Sequence, residues 1–362
     1  MRMMRTWVLG LLATVLVACA GQAPQPTLST ETDAVTVEDG VAASRPQLVV
    51  MTHDSFAVSE EVIVAFEQAN NAEVVILNAG DAGSTLNKAI LTKDAPQADV
   101  LFGVDNTFLS RALEAEIFEA YAPTTQLIDA ATQEQSAPLI PVDVGYVVIN
   151  YDKAALEAAG LQPPQSLQEL TEPAWRGKLV VENPATSSPG LAFLLATIAE
   201  FGPDGWQAYW QALRDNDVLI AEDWTTAYYT HFSATGEGSR PLVVSYSTSP
   251  AAEVVFSATP IDTPPTGNVA FGAFRQVEYV GILRGTTQLS LAQAFVDFML
   301  SDTFQNDIPL QMFVYPASAT ATIPEVFVKH APVPTVTKQL DAPTIAANRE
   351  AWLSEWDALM RK

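Results

Sequence analysis

Residue types that usually support catalysis are sparse in this sequence. Its three histidines, His53, His231 and His330, do not form a His-x3-His metal motif. The sequence contains no Gly-x-Ser-x-Gly nucleophile elbow and no Gly-x4-Gly-Lys phosphate loop. Its one cysteine, Cys19, lies near the amino terminus, which excludes thiol catalysis in the rest of the chain. We therefore expect a protein that is not an enzyme and that uses neither a metal nor another cofactor.

Aromatic and hydroxyl side chains are grouped in segments that can bind a flat, polar ligand. Trp224, Tyr228 and Tyr229 share one segment, and Tyr246 follows a predicted strand. Each ring face can contribute about 0.5–2 kcal/mol of stacking or cation–π attraction. Segment 183–190, with Ser187, leads into a predicted helix whose free amide groups suit a polar ligand. This pattern indicates a site for a flat cationic solute.

Alternating strands and helices must position these side chains. Apolar runs predict strands at 47–52, 73–78 and 98–102, and helical periodicity predicts helices at 59–69, 84–93 and 106–115, with Ser59 as the cap of the first. This alternation is typical of a parallel sheet covered by helices. Ligands of such sheets bind beyond the carboxyl ends of the strands. The loops 53–56, 80–83 and 103–106 are therefore candidate binding loops, and each contains an acidic residue, such as Asp81 or Asp105.

A second α/β stretch follows, and two long β-rich segments flank it. Segment 141–151 is long enough to cross between two lobes, and segment 276–283 is a candidate return crossing. Between them we predict strands at 178–182, 218–221 and 242–245 and helices at 191–200 and 203–216. A late helix begins near Ser290, and the chain ends in a helix from about Thr344 with Trp352, Trp356 and Leu359 on its buried stripe.

The amino terminus predicts export and lipidation. Two arginines precede an apolar run, 7–17, which is shorter than the about 20 residues that a membrane-spanning helix needs. The run ends in Leu-Val-Ala-Cys, which resembles the lipobox of bacterial lipoproteins. We therefore predict a signal peptide at 1–18, a lipidated Cys19, and a flexible linker over 19–46 that tethers the protein to the outer face of the cell membrane.

The charge and apolar content limit the partners of the remaining chain. A net charge of −24 without a cluster of lysine and arginine excludes nucleic acid as a partner and favours the attraction of cations. The 48% hydrophobic content is that of a globular protein. About 315 residues follow the linker, which is enough for two packed lobes.

From Leu48 to Lys362 the sequence resembles the periplasmic thiamine-binding proteins of ABC importers, within the larger iron- and spermidine-binding group of solute receptors. The most specific stretches are 52–56, 98–106, 164–167, 186–191, 245–250 and 352–356. The resemblance implies an α/β, two-lobed type II periplasmic binding protein, in which each lobe is a mostly parallel sheet flanked by helices and hinge strands join the lobes. We expect one lobe at 47–145 plus 277–320 and the other at 146–276 plus 321–362. It also implies a monomer that closes around thiamine, its phosphates or a related cationic heteroaromatic outside the cytoplasm and delivers it to an ABC permease and its ATPase.

The resemblance also implies a ligand site. Asp81, Ser187, Trp224 and Tyr246 match the family pattern. At four further positions this chain departs from it: Phe313 and Glu60 replace tryptophans, and His53 and Ala252 replace tyrosines. The residues predicted to bind ligand are His53, Asp81, Ser84, Asp105, Ser187, Trp224, Tyr228, Tyr246 and Phe313.

Three alternatives remain open from the sequence. Ferric-ion receptors of the same group use two adjacent tyrosines, which Tyr228 and Tyr229 can imitate with His53 and Asp81. Another small solute, such as a polyamine or a phosphonate, can occupy the same lobes. A secreted hydrolase is the third alternative, and it lacks a recognisable nucleophile. Trp224 favours a heteroaromatic cation over iron, because a metal site has no use for a stacking indole.

Overall fold

A computed structural model describes residues 45–361 apart from 124, 133–135 and 236. The predicted signal peptide, the predicted lipidation site Cys19 and residues 19–44 of the predicted linker lie outside the described residues. Within the described part, no helix combines the length and the apolar character that crossing a membrane requires.

Strands and helices alternate along the chain much as the sequence predicts. The strands are β1 (Gln47–Thr52), β2 (Glu73–Asn78), β3 (Val100–Asp105), β4 (Ile140–Asp152), β5 (Leu179–Glu182), β6 (Leu219–Ala221), β7 (Leu242–Tyr246), β8 (Thr266–Asn268), β9 (Phe274–Ile282) and β10 (Tyr315–Pro316). The α-helices are α1 (Glu60–Asn70), α2 (Ala82–Leu91), α3 (Leu109–Glu114), α4 (Asp129–Thr132), α5 (Lys153–Ala158), α6 (Ser188–Phe201), α7 (Trp206–Asp215), α8 (Trp224–Thr226), α9 (Ser249–Val255), α10 (Leu289–Met299), α11 (Asp302–Gln305), α12 (Ile308–Gln311), α13 (Glu325–His330) and α14 (Ala342–Met360).

One mixed sheet runs through the described chain in the order β2-β1-β3-β9-β4-β7-β5-β6, and β8 and β10 pair with β4. Strands β1, β2 and β3 are parallel at one end, and β5, β6 and β7 are parallel at the other. The long strands β4 and β9 lie between these ends and pair antiparallel with each other. The two predicted crossing segments are therefore neighbours in the sheet.

Helices cover both faces of this sheet, which explains why its central strands are apolar along their whole length. Every residue of β3 is buried, and β4 has a single residue that is partly exposed. Phe66 of α1 packs against Phe295 of α10, with ring centroids 5.0 Å apart. On the opposite part of the molecule, Trp210 of α7 packs against Trp356 of α14 at 5.5 Å.

The C-terminal helix α14 contacts elements from both ends of the sheet. Trp356, predicted to be buried, packs on α7, while Trp352 and Leu359 are only partly buried. Near the start of the helix, the buried Arg349 guanidinium lies 4.7 Å from the centre of the Phe108 ring, which precedes α3. The helix therefore joins α3, which packs on β3, to α7, which packs on α6.

Three local predictions differ from the structure. Helix α2 begins at Ala82 rather than at Ser84, because the Asp81 carboxylate accepts the Ala82 N–H at 2.7 Å. Ser59 occupies the cap position of α1, but its hydroxyl donates to Asp307 instead of capping the helix. Strand β3 continues through the predicted loop 103–106 as far as Asp105, with an irregularity at Gly103, whose φ of 100° suits glycine.

Candidate functional site

A cavity of about 310 Å³ lies where the carboxyl ends of strands from both ends of the sheet meet. His53 follows β1 and Asp81 follows β2 on one side of it. Trp224 follows β6 and Tyr246 ends β7 on the other side. This is the position at which sheets of this kind bind ligands.

The charged wall of the cavity consists of His53, Asp54, Asp81 and Glu278. His53 Nε2 lies 3.5 Å from Glu278 Oε1, and the two side chains are 11% and 8% exposed. Burial lowers the pKa of His53, but the carboxylates of Glu278, Asp81 and Asp54 outweigh it and raise the pKa above its usual value. Of the described residues, no lysine or arginine lines this cavity. The wall therefore favours a cation over an anion.

The Asp81 carboxylate contacts backbone from both sides of the cavity. One oxygen accepts the Ala82 N–H, and the other accepts the Trp224 N–H at 3.4 Å. Burial raises the pKa of Asp81, while the nearby Ser187 hydroxyl, these two N–H groups and His53 lower it. The Ser187 hydroxyl thus lies beside this carboxylate, although it does not reach hydrogen-bond geometry. Asp81 is a fixed negative group whose charge is only partly balanced by protein.

The aromatic wall consists of Trp224, Tyr228, Tyr229 and Tyr246. The Trp224 and Tyr228 rings are stacked, with centroids 5.2 Å apart and planes 21° apart. Tyr229 and Tyr246 meet Trp224 edge-on, at 5.6 Å and 6.2 Å. The Trp224 indole N–H donates to Ser245 at 2.9 Å. Because the rings hold one another and the indole is anchored, the wall is formed before any ligand binds.

A short helical segment places three of these rings, Trp224, Tyr228 and Tyr229, on one side of the cavity. Asp223 accepts the Thr226 N–H at 2.7 Å and so starts α8. The helix continues directly into a π-helical turn, Ala227–His231. Irregular turns of this type are frequent at functional sites. Here the turn carries Tyr228 and Tyr229 immediately after Trp224.

Phe313 and Phe256 form a third side of the cavity. Phe313 is 8% exposed, and its φ of 57° is unusual for a residue with a side chain. Its ring lies 5.2 Å from that of Phe256, which is 68% exposed at the rim. This side is apolar, in contrast to the charged wall.

The cavity brings together six of the nine residues predicted to bind ligand. They are His53, Asp81, Trp224, Tyr228, Tyr246 and Phe313. Ala252, at one of the four positions where the chain departs from the family pattern, also lines the cavity, whereas Glu60 is exposed at the start of α1 and does not.

Three predicted ligand residues lie outside the lining. Ser84 is the third residue of α2 and packs against Gly80. Ser187 precedes α6 and is fully buried beside Asp81. The Asp105 side chain is fully buried and accepts the backbone N–H of Thr107 at 2.6 Å. It does not reach the cavity because the strand, predicted to end at 102, continues through it.

Glu278 and Phe256 line the cavity but were not singled out by the sequence. Phe256 follows α9, where nothing local distinguishes it from a surface residue. Glu278 had a detectable signal, because it is an acidic residue in the middle of a strand that is otherwise mostly apolar. Buried acidic residues without a partner are rare in strands.

The two adjacent tyrosines are poorly placed for binding iron. The Tyr228 hydroxyl donates to Glu253 at 2.7 Å, and burial followed by the Glu253 charge raises the pKa of Tyr228 well above its usual value. The pKa of Tyr229 is raised for the same reasons. A metal ion bound here would have to displace the hydroxyl protons against these shifts and break the Tyr228–Glu253 hydrogen bond. In the described ranges, no group of three His, Cys, Asp or Glu side chains is arranged to hold a metal ion.

Comparison with known proteins gives consistent matches. A family model described as bacterial extracellular solute-binding protein matches residues 95–339. The sequence is 34% identical over 317 residues to the thiamine-binding periplasmic protein of Escherichia coli strain K12, covering 86% of this chain and 93% of that protein.

Solved structures match over a similar range. A structure titled periplasmic thiamin binding protein has a TM-score of 0.75 and 30% identity, covering 87% of this chain and 96% of the other. Iron-bound HitA from Pseudomonas aeruginosa has a TM-score of 0.68 at 20% identity, covering 87% of this chain and 99% of the other. The second likeness concerns the fold alone.

Proposed function

We propose that this chain, which belongs to the family of bacterial extracellular solute-binding proteins, captures thiamine or one of its phosphates and delivers it to an ABC importer. The thiamine-binding relative in Escherichia coli and the thiamin-binding structure support this ligand. Because those relatives are periplasmic proteins, the proposal places the chain outside the cytoplasm. There, lipidation at Cys19 would hold it at the membrane beside the permease and its ATPase.

The observation that best supports thiamine is the pairing of an aromatic wall with a charged wall in one cavity. Thiamine carries a flat aminopyrimidine and a positively charged thiazolium ring. Rings such as Trp224 can stack on either heterocycle, and the carboxylates of Asp81 and Glu278 can balance the thiazolium charge. The cavity volume of about 310 Å³ is within the range of small-ligand sites.

The same charges favour thiamine over its phosphorylated forms. A diphosphate group adds negative charge, and the charged wall contributes three carboxylates and no lysine or arginine. Thiamine itself is therefore expected to bind more tightly than its diphosphate. The departures from the family pattern at His53, Ala252 and Phe313 alter three aromatic contacts, which lowers the expected affinity by about one to three orders of magnitude relative to the family.

Capture follows from closure of two lobes in this proposal. The predicted lobes, 47–145 plus 277–320 and 146–276 plus 321–362, contribute Asp81 and Trp224 to the cavity from different sides. A ligand that touches both favours the closed state, because only that state offers both sets of contacts. The protein acts as a monomer, and the long strands β4 and β9 serve as the hinge.

Titration calorimetry of the purified chain tests the ligand. Thiamine, thiamine diphosphate and spermidine are titrated separately, and a fourth sample is loaded with ferric citrate. We expect thiamine to bind most tightly and the iron-loaded sample to stay colourless after desalting. Tighter binding of spermidine would contradict the proposal and support a polyamine receptor, and a visible tyrosinate-to-iron absorption band would support a ferric-ion receptor. Mass spectrometry of ligand retained through native purification gives an independent identification.

A further inference from the structure

Three carboxyl side chains lie side by side in the middle of the sheet. Glu278 on β9 is the direct partner of Asp105 on β3 and of Asp143 on β4. Directly opposed residues of antiparallel strands point to the same face, with Cβ atoms about 4.5–5.5 Å apart. Asp105 and Asp143 are fully buried and Glu278 is 6% exposed. We refer to Asp105, Glu278 and Asp143 as the carboxyl row.

The carboxyl row is poorly balanced by hydrogen bonds. Within the described part of the chain, Asp105 Oδ2 has no hydrogen-bond partner, and the oxygens of Asp143 have none outside the row, where the Glu278 carboxyl lies within hydrogen-bond reach. Buried carboxylates this close cannot all be ionised, because desolvation and mutual repulsion both favour protonation. Burial and the Glu278 charge raise the pKa of Asp143 well above its usual value, and burial raises that of Asp105 to about 7. The row therefore holds protons near neutral pH.

The row reaches the ligand cavity through one side chain. Glu278 belongs to the row and also lines the cavity, where its carboxylate lies 3.5 Å from His53 Nε2. His53 is the one basic side chain among the described residues that line the cavity. A charge placed beside Glu278 in the cavity thus acts on the proton equilibria of the whole row.

The groups around the row compensate its charge only in part. Arg349 on α14 acts on Asp105 from the far side, but its Nη1 pairs with Glu350. The loops that pack against Glu278 add further carboxylates, Asp54 and Asp81, beside His53. On β7, the Tyr246 hydroxyl points to Gln276.

The helices α6 and α10, which pack on β9, contain no lysine or arginine. Helix α6 has one carboxylate, Glu200, which pairs with Lys338. Helix α10 has Asp297, which accepts the Tyr121 hydroxyl at 2.7 Å. No lysine or arginine therefore pairs with Glu278 or Asp143 in the described chain.

We propose that the carboxyl row is a proton-binding site linked to the ligand cavity, so that binding of a cationic ligand expels a proton from the row and its His53 partner. This inference rests on the proposed function only in requiring a cation as the ligand. A cation beside Glu278 stabilises the ionised form of the row, so a proton held by Asp143 or Asp105 leaves to solvent as the ligand arrives. The positive charge of the ligand thereby replaces the positive charge of the released proton. Affinity for the cation accordingly rises with pH.

Calorimetry counts the released protons directly. Thiamine is titrated near neutral pH in two buffers with different ionisation heats, and the difference in observed heat gives the number of protons exchanged. We expect release of roughly half to one proton per thiamine bound, and a rise in affinity of up to about tenfold per pH unit between about pH 6.5 and 8.5. The range stays above the acidic region in which the aminopyrimidine ring itself takes up a proton.

The isosteric variant Asp143→Asn isolates the contribution of the row. Asp143 does not line the cavity, so the variant still binds thiamine, with clearly less proton release and a flatter pH profile. Glu73→Gln on the exposed edge strand β2 is the matched control, and its proton release equals that of the native chain. If Asp143→Asn does not fold, the proton count of the native chain still decides the question.

Two results would overturn the proposed link between proton release and ligand binding without contradicting thiamine as the ligand. One is thiamine binding by the native chain without proton release, and the other is a folded Asp143→Asn variant that releases as many protons as the native chain. Absence of thiamine binding at every pH would instead overturn the proposed function and the linkage with it.

Discussion

The charged wall and the aromatic wall of the cavity are built by opposite ends of the sheet and in different ways. His53 and Asp81 are carried by loops after β1 and β2, and their positions are set by backbone and ion-pair contacts. Trp224 follows β6 and Tyr246 ends β7, and their positions are set by ring-to-ring packing. Tyr229, at the rim of the aromatic wall, is 55% exposed.

This difference indicates a division of roles. The charged wall is buried except for Asp54 and is electrostatically unfavourable without a ligand, since the pKa of Asp81 is raised by burial. A cation relieves that cost, so this wall should decide which charge is accepted. The aromatic wall is already packed and offers flat faces with little ordering cost, so it should supply most of the affinity.

The largest loss is expected from breaking the aromatic wall. Trp224→Ala removes the ring on which Tyr228 stacks and to which Tyr229 and Tyr246 pack, so thiamine affinity should fall by about 10- to 100-fold. Trp224→Phe keeps a ring and should lose about threefold to tenfold. Calorimetry measures both, with thermal unfolding as the control for folding. Unchanged affinity in a folded Trp224→Ala protein would remove the aromatic wall from the site.

Breaking the charged wall should cost somewhat less. Asp81→Asn keeps an oxygen to accept the Ala82 N–H but removes the charge, and we expect about tenfold weaker thiamine binding. The matched variant Asp54→Asn removes an exposed lining carboxylate and should cost about twofold, because solvent screens it. The comparison is made by calorimetry at one ionic strength. Equal losses for the two variants would show that burial of Asp81 is not important for binding.

Two substitutions of Tyr246 distinguish the contribution of its ring to thiamine affinity from that of its hydroxyl, and the hydroxyl is expected to contribute little. The hydroxyl donates to Gln276 at 3.4 Å, a long contact that keeps it engaged with protein. Tyr246→Phe should therefore change thiamine affinity by about threefold or less, whereas Tyr246→Ala should approach the loss seen for the tryptophan. If Tyr246→Phe alone reproduces the loss of Tyr246→Ala, the hydroxyl rather than the ring face binds the ligand.

The smallest effect on binding belongs to Asp105, which affects stability instead. Its pKa is about 7 in the folded chain, above the about 3.9 of an unfolded aspartate. Its stabilising contribution is thus fully present below about pH 4 and is lost as pH rises through about 7. Relative to Asp105→Asn, the native chain should lose roughly 3–6 °C of melting temperature between about pH 5 and 8. Thiamine affinity at about pH 8 should change by less than about twofold.

Parallel pH profiles of melting temperature for the native chain and Asp105→Asn would contradict this assignment. A large loss of thiamine affinity in the variant would instead place Asp105 in the ligand site, as the sequence predicted.

The sequence predicts the architecture well. The two-lobed type II periplasmic-binding-protein fold is confirmed by the solved structures. Apolar runs placed β1, β2 and β7 within a residue of their observed bounds, because buried strands have a strong local signal. The predicted strand boundaries near the ligand cavity were less accurate. The strand that contains Asp105 extends beyond its apolar run, since its pairing with β9 continues past an irregularity that local propensity does not show.

The side chains of the site likewise include some that the sequence predicts and one that it does not. Trp224 and Tyr246 were recognisable because aromatic residues follow strand ends, and Asp81 because an acidic residue sits in a glycine-containing loop. Glu278 was missed because its position depends on the register of three strands that are distant in sequence. Such non-local pairing leaves no periodic pattern, so the link between Glu278 and Asp143 appears only when the strands are assembled.

The most direct test of the two-wall site is a crystal structure of the chain with bound thiamine. The account predicts one heterocycle stacked against Trp224 and the thiazolium nitrogen within about 5 Å of the carboxylate of Asp81 or Glu278. Thiamine bound outside this cavity, or bound inside it with the thiazolium pointing away from both carboxylates, would contradict it.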